Sequence, residues 1–130
     1  MINKEIFAEI VYEDKDTIAI LDVHPRALGH IMIIPKVHAE TILDLPDEKV
    51  EGVFKAVKKV TSIIEKALSV NDFTIGINHG NVSGQIVKHL HIHIIPRWEN
   101  DGGGSIHSVV DNPPKESIKE TADKIRSIKY

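Results

Sequence analysis

Residues 89–93 read His-Leu-His-Ile-His. In a β-strand, side chains alternate between the two faces, so His89, His91 and His93 share one face. Leu90, Ile92 and Ile94 share the other and pack inward. Neighbouring imidazoles then start from backbone positions roughly 7 Å apart, two strand rises. Imidazole titrates near pH ~6.5, so adjacent rings can hold neutral and protonated roles in one small space. A lone strand histidine is ordinarily a hydrogen-bonded, half-exposed residue, and lysine serves a solvated face better. Three in register, separated by large aliphatics, point to chemistry. One possibility is nucleophilic attack by a neutral ring nitrogen through a covalent intermediate. Another is zinc chelation by a His-x-His pair. Zinc commonly takes three or four ligands and the strand supplies its histidines in a line, so metal binding stands second.

The residues leading into the triad favour phosphorus chemistry. Gly84-Gln85-Ile86-Val87-Lys88 directly precedes it. Glycine lets backbone N–H groups approach an anion, and successive amides can form an anion-binding nest. A phosphate held there would lie beside the histidine face.

The elements that position these residues read as α+β. Glu9–Tyr12, Thr17–Leu21, His30–Ile34, Phe73–Asn78 and His89–Ile95 have strand composition. The polar stretch 13–16 suits a hairpin turn, and 24–29 is a loop. Asp44-Leu45-Pro46-Asp47 resembles a helix start, with a capping carboxylate and a first-turn proline. Val50, Val53, Phe54, Val57, Val60, Ile64 and Leu68 then follow helical spacing to about Ser69, with Asn71 as terminator. Pro113-Pro114 precedes a weaker pattern, Ile118, Ala122 and Ile125. The expected fold is a five-stranded antiparallel sheet carrying one long helix, plus a C-terminal helix. Residues 1–130 form one expected domain, with 99–130 as a loop and helical extension.

Composition narrows the function classes. The chain has 130 residues, 42% hydrophobic and 27% charged, which suits one folded domain with a real core. A net charge of −3 and few aromatics disfavour duplex nucleic acid. The absence of cysteine removes disulfides and cysteine-ligated metals. No apolar run approaches the ~20 residues of a membrane span, and the opening residues lack a signal pattern. A cytoplasmic protein is expected. The unusual figure is eight histidines, three of them within five residues.

Gly84-Gln85-Ile86-Val87-Lys88-His89-Leu90-His91-Ile92-His93-Ile94-Ile95-Pro96-Arg97 resembles the signature of the histidine-triad (HIT) nucleotide hydrolases and transferases. Tyr12-Glu13-Asp14, Leu21-Asp22-Val23, the run Gly29 to His38, and Ile77-Asn78 follow the same family's order, from about residue 4 to about 98. The resemblance implies a HIT-like fold and cleavage at the α-phosphorus of a purine nucleotide through a nucleotidyl-histidine. The departing group would be an amine or a second nucleotide on a polyphosphate bridge. By resemblance His91 is the nucleophile, its other ring nitrogen bonded to the backbone carbonyl of His89. His93 would bond the phosphate or the departing group, with His89 and His30 as a supporting pair. Asp22 matches the ribose-binding acid and Asn78 the amide beside the phosphates. Gly84, Gln85 and Ile86 match the phosphate loop, and Val23 and Ile6 the base pocket. No cofactor is implied, and a homodimer is. A non-catalytic nucleotide-binding or docking module on the same fold, and a metal-dependent hydrolase, are the alternatives.

Three departures from the family pattern matter. Many relatives carry a Cys-x-x-Cys that holds zinc with histidines matching His38 and His89. Both cysteines are missing here, so no structural zinc is expected and His38 falls to a surface role. Ile86 stands where relatives often have serine or threonine, leaving substrate preference open. Trp98 either covers a bound base or packs the terminal helix.

Overall fold

The computed structural model describes residues 8–130. Ile6 lies outside the described residues. Five strands form one antiparallel sheet: β1 (Ile10–Glu13), β2 (Thr17–Leu21), β3 (Ile31–Pro35), β4 (Asp72–Gly76) and β5 (Ile92–Arg97). Their spatial order is β1-β2-β3-β5-β4. A register shift near Val11 marks a bulge in β1.

The long helix α1 (Asp47–Leu68) packs on one face of the sheet. It buries Val53, Ala56, Val57, Val60 and Ile64 against Ala19, Ile31, Ile33, Ile92 and Ile94. Phe54, counted on the apolar stripe from spacing, is instead 43% exposed. It lies about 100° around the helix from Val53, at the edge of the face that meets the sheet. Ala56 takes the inner place.

The helix boundaries also differ from the sequence reading. Asp44 caps a preceding 3₁₀ turn reciprocally with Thr41, and Pro46 occupies the N-cap position of α1. The C-terminus is closed by Ser69 in the left-handed region at φ 52°, two residues before Asn71.

Strand alternation decides what the other sheet face offers. Ile31, Ile33, Ile92 and Ile94 are buried toward α1, while Met32, His93, Ile95 and Arg97 are half-buried on the opposite face. The register places Met32 and Gly76 on either side of His93. The second helix α2 (Ile118–Arg126) starts at a Ser117–Glu120 capping box and buries none of its residues. Its Ile118 and Ile125 are exposed. No helix among the described residues is long and apolar enough to cross a membrane.

Candidate active site

The hydrogen-bonded part of β5 begins at Ile92, so His89 and His91 precede the ladder. They sit in an extended lead-in held by Leu90 N–H, which donates to the Ala39 carbonyl at 2.7 Å. Leu90 is buried there, as its alternation with the histidines predicts. The three rings do not share one environment. His89 is buried, while His91 and His93 are half-buried with centroids 5.0 Å apart, edge to face.

Backbone anchors set the proton on each ring. His91 Nδ1 lies 2.8 Å from the His89 carbonyl oxygen, which can only accept. The His91 proton therefore sits on Nδ1 and Nε2 keeps its lone pair. His89 Nε2 donates to the Pro35 carbonyl at 3.0 Å, and its Nδ1 is buried with no partner among the described residues.

His93 is set through a longer chain. The Arg26 N–H donates to His30 Nδ1 at 3.1 Å, so His30 carries its proton on Nε2. His30 Nε2 then donates to His93 Nδ1 at 2.9 Å. The proton of neutral His93 is thereby placed on Nε2. Asp22 stands behind this pair, with Oδ2 3.5 Å from His30 Nε2.

Burial holds His30 and His89 below the ordinary imidazole range. It pushes His93 down to about 4, helped by the neighbouring His91 and His30 rings and opposed by Asp22. His93 is thus a neutral hydrogen-bond donor at pH 7.

His30 and His89 do not pair behind the nucleophile as the resemblance implies. His30 belongs to His93, and the ring near His89 is that of His38, 5.3 Å away. The register explains this: Met32 opposite His93 brings the start of β3 to the last histidine of the triad. His89 lies earlier and meets the end of β3 at Pro35. His38 is exposed, and its ring nevertheless leans on His89.

The glycine loop ahead of the triad also differs in detail from what the resemblance implies. Gln85 is buried, and its side chain bonds through both ends: Oε1 accepts from Gly80 N–H at 2.9 Å. Its Nε2 donates to the carbonyls of Glu40 and Val87 at 2.7 and 3.1 Å. Gln85 therefore braces the loop and has no N–H left to donate to a phosphate. The Gly84 and Gln85 N–H groups are spent on Asn81 and Gly80 carbonyls. The next two amides, of Ile86 and Val87, make no hydrogen bond among the described residues. The amides left open on this loop thus fall one or two residues later than glycine position suggests. Gly84 itself has φ +108°, a conformation that favours glycine. Asn78 lies beside it, with Nδ2 3.7 Å from where a Gly84 Cβ would stand.

Asp22 Oδ1 accepts from His24 N–H at 2.9 Å, which leaves further lone pairs for hydroxyl donors. Val23 and Ile86 are exposed beside it and on the loop. Trp98 is 38% exposed. Residues missed from sequence are Arg26, the Pro35 carbonyl and Val87. All three act through backbone atoms, which carry no sequence signal.

Comparison with known proteins places this chain in a family. The HIT domain family matches residues 3–100. The chain is 44% identical over 102 residues to an uncharacterised HIT-like protein of Methanocaldococcus jannaschii, covering 78% of each chain. It is 33% identical over 111 residues to the adenosine 5'-monophosphoramidase hnt1 of Schizosaccharomyces pombe, covering 85% of this chain and 80% of that protein. A solved HIT family protein from Bacillus subtilis superposes with a TM-score of 0.82 at 30% identity, over 95% of this chain and 89% of the other. The chain belongs to the HIT family.

Proposed function

We propose that this protein is a nucleotide hydrolase or nucleotidyl transferase acting at the α-phosphorus of a purine nucleotide through His91. The observation that carries this is the 2.8 Å contact from His91 Nδ1 to the His89 carbonyl. It leaves Nε2 as a fixed, unprotonated nucleophile. In the first step a His91 Nε2–P bond forms and the bond from phosphorus to the leaving group breaks. The leaving group takes that electron pair while His93 Nε2–H donates a hydrogen bond to it, and an amine leaving group also takes up one proton from solvent. In the second step water attacks phosphorus, the N–P bond breaks, and a water proton passes to solvent. Transfer to another acceptor follows the same course with a different nucleophile.

Asp22 accepts from the ribose hydroxyls, and the amides of Ile86 and Val87 with Asn78 hold the phosphate oxygens. Val23 contributes to the base pocket. The relationship to a monophosphoramidase supports an amine as one possible leaving group.

The His91→Asn variant should fold normally and lose turnover by at least about 10³-fold, as expected when a covalent nucleophile is removed. Mass spectrometry of wild-type protein quenched during turnover should show a nucleotidyl adduct on His91. Normal turnover by His91→Asn would refute the reading. Nucleotide binding without adduct or product would mark a non-catalytic module.

A metal reading has one observation in its favour: Asp22, His30 and His93 place possible ligand atoms within 4.8 Å of one another. The Arg26 N–H speaks against it. It occupies His30 Nδ1, so a neutral His30 must keep its proton on the nitrogen that would face the ion. Stoichiometric metal by elemental analysis, with activity lost on its removal, would reverse that preference.

We also propose a homodimer. β4 is an edge strand, and the apolar Ile118 and Ile125 of α2 lie exposed. A monomer in sedimentation at working concentration would dispose of it.

A further inference from the structure

Asp22 and the rings of His30 and His93 form one cluster, with a side-chain oxygen or nitrogen of each within 4.8 Å of the others. The segment 22–30 holds it together. Asp22 N–H donates to the His30 carbonyl at 2.9 Å, which ties the carboxylate and the imidazole at the backbone. Between them, Arg26 N–H fixes His30 Nδ1. The segment that carries the proposed ribose acceptor therefore also sets the His30 proton.

That single proton faces two acceptors. His30 Nε2 lies 2.9 Å from His93 Nδ1 and 3.5 Å from Asp22 Oδ2. The shorter contact is a hydrogen bond of ordinary length, and the longer one is stretched. Yet a charged acceptor bonds more strongly than a neutral one, so the carboxylate is the stronger competitor. With Nδ1 held by Arg26 N–H, a small swing of the ring carries Nε2 from one acceptor toward the other. Burial lowers the proton affinity of both rings, and the Asp22 charge opposes it at both, so the carboxylate already acts on each. What decides the contest is what else Asp22 bonds. Its Oδ1 accepts from His24 N–H. Its Oδ2 accepts no hydrogen bond among the described residues, and the side chain is 15% exposed, so water can serve it in the free protein.

We infer that Asp22 is a positioning residue as well as a hydroxyl acceptor: sugar hydroxyls on Oδ2 leave the His30 proton with His93, and a bound nucleotide without them lets Asp22 draw that proton away. This rests on the proposed function and gives Asp22 a second task within it. A bound nucleotide displaces water from the carboxylate. A ribose supplies hydroxyl donors in its place, and the order Arg26, His30, His93 is kept. A dideoxyribose leaves Oδ2 dry, and an unsatisfied buried acceptor is costly enough to recruit the nearest N–H, that of His30. His93 Nδ1 then loses its donor. Its own proton is no longer confined to Nε2, the nitrogen that must donate to the leaving group. No covalent bond changes in this switch. The proton stays on His30 Nε2 and only its acceptor differs.

The test compares a purine nucleoside 5′-phosphoramidate with its 2′,3′-dideoxy analogue on the full-length chain. In wild type the analogue should lower kcat about ten-fold, beyond any rise in KM, as for a misplaced catalytic group. In Asp22→Ala the competing acceptor is gone, and the kcat ratio of the two substrates should shrink to under about two-fold. A carboxylate that only holds hydroxyls changes KM alone. That result, or an undiminished kcat ratio in Asp22→Ala, overturns the inference. A second measurement needs neither the variant nor turnover. Nitrogen-15 shifts of His93 in wild-type protein saturated with a purine nucleoside monophosphate should report the Nε2–H tautomer. The 2′,3′-dideoxy monophosphate should give a mixed tautomer. One tautomer with both ligands also overturns the inference. If the tautomer responds as stated while no nucleotide is turned over, the catalytic reading fails and the coupling stands.

Discussion

Two ring nitrogens in this site owe their state to backbone groups elsewhere in the chain. His91 Nε2 keeps its lone pair because the His89 carbonyl claims the opposite proton. His93 Nε2 is a donor because Arg26 N–H and His30 act in sequence. In the proposed mechanism His30 is thus a positioning residue, one ring removed from the substrate. His30→Ala should lower kcat by roughly 10²-fold with KM little changed, the size of a misplaced catalytic group. His30→Gln keeps a side-chain N–H donor and should recover part of that loss. Nitrogen-15 chemical shifts of His93 should report a mixed tautomer in the alanine variant only. An unchanged tautomer and unchanged kcat would remove His30 from the mechanism.

At the scale of elements, the loop between β4 and β5 is held by one buried side chain. Gln85 ties Gly80 to Val87 and ties both to Glu40, in the segment after β3. Gln85→Ala removes the partner of one donor and two acceptors at a part-buried site. It should cost roughly 1–3 kcal/mol in denaturant unfolding, the range for a buried polar group losing its partners. Hydrogen exchange at residues 80–87 should quicken first. A wild-type midpoint would show that the loop does not depend on this brace. The same loop shows where sequence reading succeeds and stops. Gly84 marked it correctly, through a backbone conformation that glycine favours. The free amides could not be located without knowing which carbonyls the first two had taken.

For the whole molecule, burying several imidazoles makes stability depend on pH. His93 has a folded pKa of about 4 against an ordinary value of 6.5. His30 and His89 are shifted in the same direction, chiefly by burial. Between those pH values the unfolded chain binds more protons than the native one, so stability rises with pH. The contribution is fully present above about pH 6.5 and fades as pH falls toward 4. For His93 alone it is on the order of 3 kcal/mol. Thermal melts should show Tm falling across that window, and replacing His93 with Asn should flatten the slope. A flat profile in the wild type would contradict the burial of these rings.

The amino-acid sequence by itself determined the sheet-and-helix architecture, the alternation of His89, His91 and His93 with buried aliphatics, and the glycine loop before them. Those features rest on local periodicity and on side-chain shape, both of which are written in residue type. Only the tertiary structure decided which imidazole meets which. His30 and His93 are 63 positions apart, and their contact follows from the pairing of β3 with β5. It also decided where each proton sits, because the groups responsible are peptide N–H and C=O groups. Every residue but proline carries both, so the sequence cannot say which of them a ring will face.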